Sequence, residues 1–222
     1  MPQHLQREIE RLKKKILSLS AAVENNVQMA VRSIEERDAE LAEKVIRLDS
    51  EIDQSEVDLE EDCLKILALY QPVAIDLRFI IAVLKINNDL ERIGDLAVNM
   101  AERAQFLSTK SGITIPYDLE ALAGKTKAML QKSLDSLVNL NSGLAREVCR
   151  TDDEVDEMNR EMYDLVKDAI RAHPEQLDIL IPYLSISRYL ERIADHATNI
   201  AEDVVYMIEG VITRHNADSI KK

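Results

Sequence analysis

Tryptophan is absent from this chain of 222 residues, which has only two phenylalanines, five glycines, five prolines and two cysteines. So few turn formers and aromatics exclude a sheet of many short strands, and the Leu, Ile, Val, Ala and Glu that remain are the material of long packed helices. The longest apolar run, Phe79 to Leu84, falls far short of the ~18 residues that a membrane span needs. No apolar stretch follows Met1 to act as a secretory signal. Cys63 and Cys149 stand apart, without a Cys-x-x-Cys or any ligand spacing, and a reducing cytoplasm is the simplest compartment for them. Positive charge is also short: 28 basic against 41 acidic residues leave a net charge of −13, which repels phosphate backbones and speaks against nucleic-acid binding. Cations and basic partner surfaces suit such a chain better.

What is present is periodicity. Leu5, Ile9, Leu12, Ile16, Leu19, Val23, Val27, Ala30 and Ile34 recur at steps of three and four, so the first helix is expected over about residues 3–36. Asp38 is placed to cap a second helix reaching Tyr70, and Pro72 separates it from a third over 73–107. Ser108, Gly112 and Pro116 crowd a segment that reads as a linker. Beyond it the pattern returns: a helix over 118–140, a cap at Asn141, a helix to Ala172, a break at Pro174 and a last helix to Glu209. Pro182 inside that helix predicts a kink.

The two halves are copies. Asp38 and Asn141, Asp49 and Asp152, and Asp53 and Asp156 are each 103 residues apart, and the interval falls to 100 in the last helix of each half. There, LERIGDLAVNMAE from Leu90 matches LERIADHATNIAE from Leu190 at nine of thirteen positions. The fold class expected is all-α, two tandem three-helix bundles making six helices, with residues 1–107 and 117–222 as the repeats and 108–116 between them. The duplication argues for two cores. Apolar positions around much of the third helix, such as Ile80, Ile81 and Leu84, exceed what one small bundle buries and predict a homodimer.

Several of the duplicated letters are polar. Glu91, Asp95, Asn99 and Glu102 fall within about 80° of one another on a helical wheel, opposite Ile93, Ala97 and Met100. Helix two carries a similar stripe in Asp49, Asp53, Glu56 and Glu60. Its second copy keeps Asp152 and Asp156 but has Asn159 and Tyr163 at the later two positions. A short turn makes the two helices antiparallel, so Asp49 lies level with Glu91, and Asp152 lies between the levels of Glu191 and Asp195. A solvated face is the plain reading of an acidic stripe. Yet carboxylates four apart repel by a few tenths of a kcal/mol, and levelling two such pairs adds to it. Something positive should sit there, either metal ions or a basic partner surface. Oxygen donors without thiolates favour Fe, Mn, Mg, Ca or, less well, Zn. His196 follows Asp195, but it has Leu96 as its partner and is disfavoured as a ligand.

The stretch QPVAIDLRFIIAVLKINNDLERIGDLAVNMAE, with its second copy of the motif, resembles the PhoU family of phosphate-uptake regulators over almost the whole chain. The resemblance implies multinuclear iron or zinc held by Asp49, Asp53, Glu91 and Asp95 and again by Asp152, Asp156, Glu191 and Asp195. Glu56, Asn99, Glu102, Asn199 and Glu202 are candidates to add to or support these ligands. It also implies a cytoplasmic, non-enzymatic negative regulator that links a phosphate ABC transporter, through its ATP-binding subunit, to a phosphate-responsive sensor kinase. Two other classes stand beside it. One is a metal-free helical scaffold docking basic partners; the other is a carboxylate-bridged di-metal enzyme, which would need Glu-x-x-His pairs that this sequence lacks. No nucleophile or phosphate loop predicts turnover.

Overall fold

A computed structural model describes residues 3–110 and 118–210. Its helices are α1 (Gln3–Glu35), α2 (Ala39–Tyr70), α3 (Ala74–Ser108), α4 (Leu119–Asn139), α5 (Ser142–Ala172) and α6 (Leu177–Glu209), with one 3-10 turn at Pro174–Gln176. No strand occurs among the described residues. Asp38 Oδ1 accepts from the Leu41 amide at 2.9 Å and Asn141 Oδ1 from the Leu144 amide at 3.1 Å, the same N-cap in each repeat. Each cap satisfies an amide that would otherwise lack a helical partner. Pro182 is buried within α6, which runs through it uninterrupted. The expected linker lies mostly outside the described residues; Ser108 is still the last residue of α3.

α1 packs on α2 and α3, and α4 on α5 and α6. Val45, Ile52, Leu59 and Ile66 bury a seam of α2 at seven-residue steps, and Val148, Val155 and Met162 do so on α5. A seam that narrow leaves the rest of each helix to solvent. α3 and α6 are buried on most sides instead, because they also pack lengthwise against each other. Here the structure departs from the expected two cores: the buried side chains of both repeats form one continuous cluster. Part of the surplus apolar surface of α3 is covered within the chain, Ile80 being fully buried and Ile81 and Leu84 partly so, while Ile75, Leu77 and Phe106 stay exposed.

Polar pairs set the register of α3 against α6. Lys85, nine residues before Gly94, meets Asp203, nine after Ala194, with Nζ 3.1 Å from Oδ1. Asp89, five before Gly94, accepts at Oδ1 from Asn199, five after Ala194, at 3.2 Å. The helices therefore run antiparallel about a midpoint at Gly94 and Ala194. The repeats are related by a local two-fold axis at that height, and the duplicated acidic motifs lie at the waist of the molecule.

Candidate metal centres

In the first repeat, Gly94 of α3 faces Asp49 and Ile52 of α2. A Cβ there would lie 3.3 Å from Asp49 Oδ1 and 3.4 Å from Ile52 Cγ2, so the missing side chain makes room for the Asp49 carboxylate against the α3 backbone. Asp49 Oδ1 and Glu91 Oε2 are both buried without a hydrogen-bond partner. Asp49 Oδ1 loses water and gains nothing in exchange, and Glu91 Oε2 has only the Arg92 guanidinium beside it. Burial first, then the charges of Asp53 and Asp95, pushes the Asp49 carboxyl up to about 6. Burial and then Asp95 raise Glu91, with Arg92 opposing and Glu56 and Asp53 adding to the rise. Burial, Glu60 and Asp53 raise Glu56.

Asp49, Asp53, Glu91 and Asp95 are thus brought together, and Glu56 belongs with them, but Asp49 lies against Gly94 and not, as the short turn predicts, level with Glu91. Arg92 is the local counter-charge, its Nη1 donating to Asp95 Oδ2 at 3.2 Å and its Nε 3.3 Å from Glu91 Oε2. Below this patch Asn87, itself buried, donates to the Glu56 carbonyl at 3.0 Å and to Glu56 Oε1 at 3.3 Å. It holds α2 and α3 in register.

The second repeat rebuilds the arrangement with different supports. Burial, then Glu191, Asp152 and Asp156, pushes Asp195 up to about 6, with His196 opposing. Burial and Asp156 raise Glu191 against Arg188, with Asp152 adding and Arg192 opposing. Asp152 accepts from Thr198 Oγ1 at 3.2 Å. Where Asn87 holds Glu56, Ser187 donates to Asn159 at 2.8 Å. The second patch is therefore less acidic than the first, and Ala194 takes the place of Gly94. Among the described residues no three His, Cys, Asp or Glu side chains are already closed round a common point; a bound ion would have to draw the carboxylates inward.

Outer members of the stripes separate from these patches. Asn199 faces the other repeat through Asp89, and Glu202 lies near enough to Cys149 to help raise its thiol, which burial pushes up to about 12. Asn99 is half-buried and Glu102 exposed. His196 donates from Nδ1 to Asp89 Oδ1 at 2.8 Å, so it belongs to the joint between repeats. That joint was not anticipated from the sequence. Its signal is the set of positions at which the repeats disagree: Lys85 against Ser185, Asp89 against Tyr189, His196 against Leu96 and Asp203 against Arg103.

The profile of the PhoU domain matches residues 16–104 and again 119–204, one copy on each bundle. The chain belongs to the PhoU family. A PhoU homologue of Thermotoga maritima, named a phosphate-specific transport system accessory protein, is 35% identical over 93% of this chain and 90% of its own length. One from Pseudomonas aeruginosa is 35% identical over 96% of this chain and 88% of its own. The crystal structure of PhoU from Pseudomonas aeruginosa superposes with a TM-score of 0.89 at 33% identity, covering 93% of this chain and 99% of that one. The phosphate transport system regulatory protein PhoU from Streptococcus pneumoniae gives 0.82 at 28% identity, covering 94% and 98%. The names of these PhoU proteins are those of accessory and regulatory proteins, not of enzymes. No helix among the described residues is long and apolar enough to cross a membrane.

Proposed function

We propose that this PhoU protein is a cytoplasmic negative regulator of phosphate uptake and of phosphate-starvation signalling. It acts as an adaptor between the ATP-binding subunit of a phosphate transporter and a sensor kinase, and its two waist patches hold multinuclear iron or zinc. The observation that carries the metal reading is the pair of buried oxygens, Asp49 Oδ1 without a hydrogen-bond partner and Glu91 Oε2 with only Arg92 beside it, set among further carboxylates that raise one another's affinity for a proton. A cation supplies the charge those oxygens lack, and hard or borderline ions match an all-oxygen donor set. Asp49, Asp53, Glu91 and Asp95 would hold it in the first repeat, and Asp152, Asp156, Glu191 and Asp195 in the second.

A second reading, a metal-free scaffold whose acidic faces dock a basic partner, draws support from the lack of any preformed metal-holding group among the described residues. Metal content and melting temperature of Glu91→Gln/Asp95→Asn, measured with and without chelator, separate the two. The metal reading expects less bound metal and loss of the chelator's effect on that repeat. Unchanged metal with a raised melting temperature supports the scaffold instead, because the variant then only relieves repulsion worth a few tenths of a kcal/mol per pair. The regulatory role is read separately, from a phosphate-starvation reporter that should switch on at high phosphate when the protein is removed.

A further inference from the structure

We propose that the seam between α3 and α6 binds inorganic phosphate at the end of the joint opposite Lys85, on the guanidiniums of Arg103 and Arg188. The site is separate from the acidic patches and does not rest on the metal reading.

The local two-fold makes the two ends of the joint comparable, position by position, at an interval of 100 residues. At one end Lys85, Asn88, Asp89 and Glu202 help to line a hollow of about 750 Å³, and Lys85 is tied to Asp203. At the other end the same places are held by Ser185, Arg188, Tyr189 and Glu102, with Arg103 in the place of Asp203. Three carboxylates and one ammonium thus give way to two guanidiniums and one carboxylate. The fold is repeated and the charge is reversed.

The cations of this second end have no anion of their own. Arg103 is half-buried and makes no hydrogen bond or ion pair with a described residue, and its Nε is shut away from solvent without a partner. Arg188 is exposed and makes no ion pair with a described residue, although its charge is felt at Glu191. A guanidinium that has given up part of its water costs the fold unless an anion completes it. Register brings the two together: Arg103 is level with Ser185 as Asp203 is with Lys85, and Arg188 lies one turn along α6 from Ser185, as Asn88 does from Lys85 in the hollow. Two planar forks beside one gap match the oxygens of a small oxyanion. Tyr189 puts a hydroxyl, able to donate, where the other end has the acceptor-only carboxylate of Asp89.

Glu102 selects among oxyanions. It is exposed and makes no ion pair with either arginine. A carboxylate only accepts hydrogen bonds, so it repels sulfate but receives the remaining proton of hydrogen phosphate.

The test is equilibrium dialysis of labelled inorganic phosphate against the full chain, stripped of metal by a chelator and dialysed free of it, so that phosphate held by a metal ion is not counted. Phosphate should bind saturably, one per chain, with sulfate a weaker competitor. Arg103→Gln and Arg188→Gln should each weaken it by about tenfold or more, the worth of a hydrogen bond to a charged group. The double variant Ser185→Lys/Arg103→Asp installs the ion pair of the other end; it should keep the helical circular dichroism of the parent and bind no phosphate. Glu102→Gln should let sulfate compete as well as phosphate does. Absence of saturable binding, binding untouched by Arg103→Gln and by the double variant, or equal competition by sulfate in the parent overturns the proposal. So does a chain that ignores phosphate but binds a glutamate-rich peptide through the same two arginines.

Discussion

Asp49 concentrates the cost of gathering carboxylates. Its carboxyl, raised to about 6, holds its proton more tightly in the folded chain than in the unfolded one, where the ordinary value near 4 applies. Protonation therefore stabilises the fold fully below about pH 4, and that contribution is lost as pH rises through 6. Asp195 acts in the same direction. The metal-free protein should melt at a lower temperature at pH 7.5 than at pH 5, and Asp49→Asn should remove part of the difference, about 1 kcal/mol once solvent screening is allowed for. Calorimetry in chelator across that range checks it; an unchanged slope in the variant would place the strain elsewhere. Gly94 offers a second probe. Gly94→Ala gains about 1 kcal/mol of helix propensity, and Ala194 shows that the other hairpin accepts a methyl group at this place. Its Cβ would still press on Asp49 Oδ1 at 3.3 Å. Stability should hold or rise while metal in the first repeat falls, a separation that elemental analysis and a melting curve on one sample can read.

At the scale of helices, the joint between α3 and α6 makes the sharper prediction. Asp203 is 2% exposed and Lys85 reaches it from the other repeat. Lys85 itself is half-exposed, so Lys85→Ser, which copies the residue at 185, should lower stability by about 1 kcal/mol, the worth of a charge-assisted hydrogen bond less solvent screening. His196→Leu, which copies Leu96, leaves buried Asp89 with Asn199 and should cost about 1–3 kcal/mol. Urea melts measure both.

These pairs also mark what the sequence could and could not disclose. Helix limits were legible to within a few residues because Asp38, Asn141, Pro72 and Pro174 act locally on their own backbone. That α2 and α3 form a hairpin was legible because a short turn makes them antiparallel, but the register it suggests lies too near the turn: Asp49 lies against Gly94 rather than level with Glu91. The packing of α3 on α6 was not legible, since it depends on which side of each hairpin meets the other, and no turn geometry dictates that. Asn199 shows the consequence: on a wheel it belongs to the acidic stripe, yet in space its amide serves Asp89.

For the whole molecule, one core spanning both repeats predicts that neither half is stable alone. Residues 1–110 and 118–222 produced as separate chains should co-purify as a one-to-one complex, and each alone should aggregate or stay unfolded, with exposed α3 or α6 as the cause. Two halves that each fold and remain apart by sedimentation would show that the joint is incidental. The local two-fold at Gly94 and Ala194 has a further, historical meaning. A homodimer of identical chains makes every off-axis contact twice, so a favourable Lys–Asp bolt on one side must recur on the other. Here Lys85 meets Asp203, whereas the mirrored positions are Ser185 and Arg103. Once two copies share one polypeptide, each can mutate without its twin. The one-sided bolt is thus a mark of descent, of a symmetric ancestor whose halves, after being joined, became free to specialise.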